Sequence, residues 1–158
     1  MLALLASSTY PVRTGLPDST RSEARMARLT LQDAEKALAA GLAKATEIGQ
    51  PMNVAVVDDG GHLLAFARQD GAIRASIDIA QRKARTSILM DLPTAALTPL
   101  VQPGAELYGL EHTAGGMVIF GGGIPIHRDG ELVGAVGVSA GSVEQDVTVA
   151  EAAVTALA

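Results

Sequence analysis

Two acidic-glycine turns constrain this chain more than any other feature. Asp58-Asp59-Gly60-Gly61 separates "MNVAVV" from "HLLAFARQ", and Asp129-Gly130 separates "GIPIHR" from "LVGAVGVSA". Each turn is short, tolerates positive φ and is flanked by apolar runs, the pattern of a tight hairpin. Hairpins require antiparallel pairing. A further run, "GGMVIFGG", joins "GIPIHR" through glycines and reads as one more strand. The sequence therefore predicts an antiparallel sheet of about five strands.

Helical patterns surround these strands. "LTLQDAEKALAAGLAKATEIG" carries Leu31, Ala34, Leu38, Leu42 and Ala45 at helical spacing, with Thr30 as cap and Asp33 in the first turn. "GAIRASIDIAQRKARTSILM" is a second helix with an apolar stripe at Ile73, Ile77, Ala80, Ala84 and Ile88. "SVEQDVTVAEAAVTAL" closes the chain. There Ser142 and Gln145 form a capping box, and Val147, Ala150, Val154 and Leu157 form the stripe. Between the second helix and the last strands lies "DLPTAALTPLVQPGAELYGLEH", which Pro93, Pro99 and Pro103 restrict to short turns. Such a segment can cover the mouth of a site. The class is α+β, with helices flanking an antiparallel sheet.

The 158 residues suffice for one domain with a full core. Residues 7–28, rich in Ser, Thr, Pro and Arg, show no apolar period. A disordered extension over 1–28 is expected, with Met26 as an alternative start, followed by a single domain over 29–158. Aromatic residues make up only 3% of the chain, and the net charge is -5, so nucleic acid is not expected as a partner. With no cysteine there is no disulfide framework or thiolate metal site. Neither a secretory signal nor a membrane span is read, which points to a cytoplasmic protein.

"GVSAG" fits G-x-S-x-G between a strand and a helix. However, His62, His112 and His127 all precede Ser139, the reverse of the hydrolase order, so Ser139 reads as a small residue at a strand end. The glycines match no phosphate-loop pattern, and Glu144 and Asp146 at the last helix would repel a phosphate. Glycine as clearance remains. Gly121, Gly122 and Gly123 permit a tight turn, while Gly134 and Gly137 mark close approach by a helix, a ligand or another subunit.

On the second helix Arg74, Asp78 and Arg82, with Arg85 beside them, read as a solvated salt-bridge ladder. Lys83 points elsewhere, among Ala72, Ser76, Ile79, Ser87 and Met90. It either snorkels at a rim or is aimed into a pocket or subunit contact. His62 reads as a turn residue and His127 as a residue near a sheet edge. His112, in a loop between the covering segment and the sheet, is the best ligand candidate of the three. Their spacing suits no zinc site.

"GGGIPIHRDGELVGAVGVSAGSVEQDVTVAEAA" resembles the C-terminal signature of the GlcG/HbpS family, the haem-degrading or DUF336 domain. "VAVVDDGGHLLAFARQDGA" and "ASIDIAQRKARTS" match its middle, with Asp78 and Lys83 on the family's helix pattern. The resemblance covers residues 29–158. It implies a profilin- or PAS-like fold, homodimers or larger rings such as octamers, and haem binding in some members. One departure is Ala140, where the family carries glycine; its Cβ makes positive φ less comfortable. No axial haem ligand is inherited.

Three functions follow as expectations. The first is an oligomeric binding protein for haem or another tetrapyrrole. Its ligand would lie between Lys83, the 93–113 segment with His112, and the Gly121–Gly123 turn with Pro125. Lys83 would meet a carboxylate, and the glycine amides would donate. The second is a metal-independent enzyme acting on a small organic acid or carbonyl compound, with Lys83 as base or amine and Asp78, His112 or Asp146 assisting. The third is a purely structural subunit.

Overall fold

A computed structural model describes residues 28–158; the expected extension lies, apart from Arg28, outside the described residues. Both turns behave as their chemistry requires. Strand β1 (Asn53–Asp58) pairs antiparallel with β2 (Leu63–Arg68). Asp58 Oδ1 accepts from the amides of Gly60 and His62, at 2.9 and 2.8 Å. This side-chain bridge closes the turn. Strand β3 (Gly123–Arg128) pairs with β4 (Glu131–Ser139) through Asp129 and Gly130, with φ of 54° and 85°. Two successive left-handed residues give the hairpin geometry that matches strand twist.

The strand order is β2-β1-β4-β3, and every pair is antiparallel. The sheet thus has four strands, not about five. Residues 117–119 run beside α2 (Ser76–Met90) without joining the ladder. Their polar groups find partners elsewhere: the Met117 amide donates to the Glu111 carbonyl at 3.1 Å, and side chains take two more. The Val118 amide donates to Thr86 Oγ1 at 3.0 Å, and the Ile119 carbonyl accepts from Thr98 Oγ1 at 2.9 Å. Those bonds remove the need for a strand partner.

Alternation along β1 and β4 sorts the core into two faces. Val54, Val56, Val136 and Val138 point toward α1 (Leu31–Glu47) and α3 (Val143–Thr155). Each fully buried side chain contributes roughly 1.5–3 kcal/mol. On the other face Val57 and Ala135 meet Ala84 of α2. The expected capping box of Ser142 with Gln145 forms on α3, and on α1 the expected cap Thr30 forms a full box with Asp33, beyond the acidic first-turn place expected of that residue. The covering segment holds two 3-10 turns, Thr94–Leu100 and Leu110–His112.

The helices bury a neighbouring stripe to the one expected. In α1 the buried residues are Ala34, Ala37, Gly41 and Ala45, while Leu31 is exposed. In α2 they are Ser76, Ala80, Lys83, Ala84, Thr86 and Ser87, while Ile73 is exposed. In α3 they are Asp146, Val149, Ala150 and Ala153. The reason is close approach: small residues let each helix settle onto its neighbour, and the larger aliphatics flank the contact. A Cβ on Gly41 would stand 3.3 Å from Val54 and 3.4 Å from Ala153.

Candidate functional site

Gly137 of β4 lies directly beneath α2. A Cβ there would collide with the Ala80 carbonyl and stand 2.5 Å from the Ala84 amide nitrogen. The missing side chain therefore sets the depth of α2, and with it the direction in which Lys83 leaves the helix. Lys83 is fully buried. Its Nζ donates to Asp146 Oδ2 at 2.6 Å and to the Val138 carbonyl at 2.9 Å. The Phe120 ring lies over the ammonium, 4.7 Å from its centroid, a cation–π contact.

Asp146 sits in the first turn of α3 and is also buried. Its Oδ1 accepts from the Gly141 amide at 3.0 Å. This bond ties the first turn of α3 to the chain that follows β4. Burial pushes the Asp146 carboxyl above the usual carboxylate range; the Lys83 ammonium and the amides of Gly141 and Ala140 oppose the shift. Burial pulls Lys83 below the usual lysine range, opposed by Asp146.

The glycine triplet serves this pair. Gly122 has φ +114°, and a Cβ on it would stand 2.8 Å from Lys83 Nζ. A Cβ on Gly123 would stand 2.5 Å from the Lys83 carbonyl oxygen. Gly121, Gly122, Gly123 and Pro125 are all buried. Backbone groups of Gly122 and Gly123 have partners within the fold. The Gly123 amide donates to Thr94 Oγ1 at 2.9 Å, and the Gly122 carbonyl accepts from the Val138 amide at 2.8 Å. Pro125 pairs with Ala135 in the sheet.

The remaining candidates lie apart from this centre. Asp78 is exposed and binds Arg82 Nε at 2.6 Å, a rung of the expected ladder. His112 ends the second 3-10 turn with its side chain 84% exposed, 3.8 Å from Glu111 Oε1. His62 bonds Asp58 within its hairpin, and His127 on the edge strand β3 bonds Asp91 at 2.8 Å. A shallow cleft of about 260 Å³ between the end of α1 and Gln69 contains none of these residues. Sequence reasoning missed Phe120. The available signal was its position immediately before the glycine triplet in a chain with two phenylalanines.

Among the described residues, four antiparallel strands, three helices and a glycine-lined meander closed over a buried lysine–aspartate pair define a small α+β domain of the GlcG/HbpS kind. A family model described as "Haem degrading protein HbpS-like" matches residues 29–155, and the chain belongs to that HbpS-like family. A 15.0 kDa protein of the dhaT-dhaS intergenic region of Citrobacter freundii is 47% identical over 82% of this chain and 92% of its own. The corrinoid adenosyltransferase PduO of the same organism is 41% identical over 82% of this chain, which spans 39% of that enzyme's length. The crystal structure of a PduOC:heme complex superposes with a TM-score of 0.79, at 40% identity, covering 82% of this chain and 94% of that one.

Proposed function

We propose that the protein is a homo-oligomeric, cytoplasmic haem-binding protein that takes haem on the surface of its covering segment, with His112 as iron ligand. One observation carries the reading. In a chain 40% identical to a protein solved with haem, the covering segment presents an exposed imidazole beside exposed apolar side chains. Leu92, Leu100, Leu107, Tyr108 and Phe120 are each 37% exposed or more. The Leu107 amide donates to the Leu100 carbonyl at 3.0 Å, and the His112 amide to the Gly109 carbonyl at 3.0 Å, so backbone bonds fold the chain locally over 100–107 and 109–112. A flat apolar ligand with one metal suits an apolar surface with one imidazole.

Lys83 has a different part in this reading. With its ammonium held by Asp146, Val138 and Phe120, it anchors the ring that backs the flap. Enzymatic use of Lys83 as base or amine would require that pair to open. Self-association belongs to this reading, and Leu63 and Ile73, 50% and 59% exposed, are apolar side chains that a second copy would cover. Among the described residues no helix is long and apolar enough to cross a membrane.

The test is titration of the purified protein with haemin, read at the Soret band, with mass measured by light scattering. Saturation at a fixed ratio to a multimeric protein supports the proposal. A shift that never saturates, or a monomer throughout, contradicts it.

A further inference from the structure

Two arginines of α2 converge on a single turn. Arg82 and Arg85 are three residues apart and so lie on the same side of the helix. Both are exposed. Arg82 Nη1 donates to the Gly115 carbonyl at 3.2 Å. Arg85 Nη1 lies 3.5 Å from where a Cβ on the same Gly115 would stand. Gly116 is crowded by Arg82 Nη1 in the same way. The turn admits both groups because Ala114, Gly115 and Gly116 all have positive φ, 50°, 80° and 94°, and the glycines offer no side chain. The stem of Arg85 rests on the first hairpin, its Cγ 3.5 Å from the Cβ position of Gly61.

The two charges are unequally matched. Asp78 holds Arg82 at Nε and the Gly115 carbonyl takes Nη1, which leaves Nη2 for a further acceptor. Among the described residues Arg85 makes no ion pair. Like charges held at this spacing repel, and an anion between them relieves the repulsion. Guanidinium forks match carboxylates in a planar, two-bond geometry. His112 ends the preceding 3-10 turn, three residues before Gly115 in sequence.

We infer that Arg82 and Arg85 form a carboxylate clamp at the Gly115–Gly116 turn, and that it grips a propionate of the haem bound at His112. The clamp deepens the haem reading and rests on it for the ligand's identity. The chemistry recognised is a carboxylate, which a free dicarboxylate also offers.

Wild-type protein is titrated with haemin, with haemin dimethyl ester, whose carboxylates are blocked, and with succinate. Each titration is repeated on Arg82→Gln, Arg85→Gln and Arg85→Lys, with circular dichroism to verify folding. Haemin is expected to bind each Gln variant about tenfold more weakly or worse, the scale of a lost charged hydrogen bond. The ester should bind wild type as weakly as haemin binds those variants. Arg85→Lys keeps the charge but loses the fork and should fall between. The ester arm needs no substitution, so it decides the matter even if a variant misfolds. Equal affinity of wild type for haemin and ester overturns the clamp and leaves haem binding standing. Unsaturable haemin binding sinks the haem reading itself. The clamp then survives only if succinate binds and is lost in the Gln variants, and it falls if succinate does not bind.

Discussion

Lys83 Nζ and Asp146 Oδ2 stand 2.6 Å apart, 63 residues separated in sequence, with neither side chain open to solvent. This contact fastens α2 to the start of α3 across the end of β4. Taking two charges out of water is costly, and their attraction offsets part of that cost only while both are present. Lys83→Met alone is expected to destabilise the fold by about 3–5 kcal/mol, because it strands a buried carboxylate. Adding Asp146→Leu should recover most of that loss. Urea unfolding of both single variants and the double variant measures the coupling.

The same pair gives the fold a pH signature. The carboxyl of Asp146 is raised in the folded state, so its contribution is fully present below the ordinary aspartate range and is lost as pH rises through the folded value. Lys83 is lowered, so its contribution is present above the ordinary lysine range and is lost as pH falls through the folded value. Stability of wild type relative to the Lys83→Met, Asp146→Leu double variant should therefore be lowest at intermediate pH and rise toward both extremes. Paired urea titrations across pH measure it. A difference that does not vary with pH would contradict these shifts.

Ala140 occupies a strained backbone position, with φ 139° in a region that side-chain-bearing residues rarely adopt. Such strain costs of order 1–3 kcal/mol. Ala140→Gly relieves it but adds unfolded-state entropy, so a net gain of about 1 kcal/mol is expected, read as a higher Tm.

Gly137→Ala should do the opposite. The added Cβ meets the backbone of α2 at Ala80 and Ala84, which cannot rotate away. A loss of about 3 kcal/mol is expected from overpacking of this kind, measurable as a lower urea midpoint. Lys83 and Asp146 would be displaced together, since α2 carries the lysine.

These outcomes separate what was legible in the sequence from what was not. The hairpins, the Thr30 cap, the Ser142–Gln145 capping box and the family signature are local patterns, and each stands at the residues that encode it. Strain at Ala140 was legible too, as a Cβ where the family carries glycine. The buried helix faces were misread by about one residue because side-chain size was taken as the sign of burial, whereas Gly41 and Gly137 show that contact distance decided it. "GGMVIFGG" looked like a strand because its composition is that of one; its hydrogen bonds to Thr86 and Thr98 come from distant segments. Lys83 was singled out by its small neighbours, but its partner is 63 residues away, beyond any local pattern. The meeting of Arg82 and Arg85 at Gly115 is equally a product of the tertiary fold.

In the proposed complex haem sits on the covering segment with His112 on the iron. The most direct measurement is a haemin titration of His112→Ala beside wild type, followed at the Soret band. His112 is exposed, so its removal should leave folding intact. Wild type is expected to show a sharp, saturating shift, and the variant to lose the wild-type band position and bind at least about tenfold more weakly. An identical band and affinity in the variant would contradict the claim.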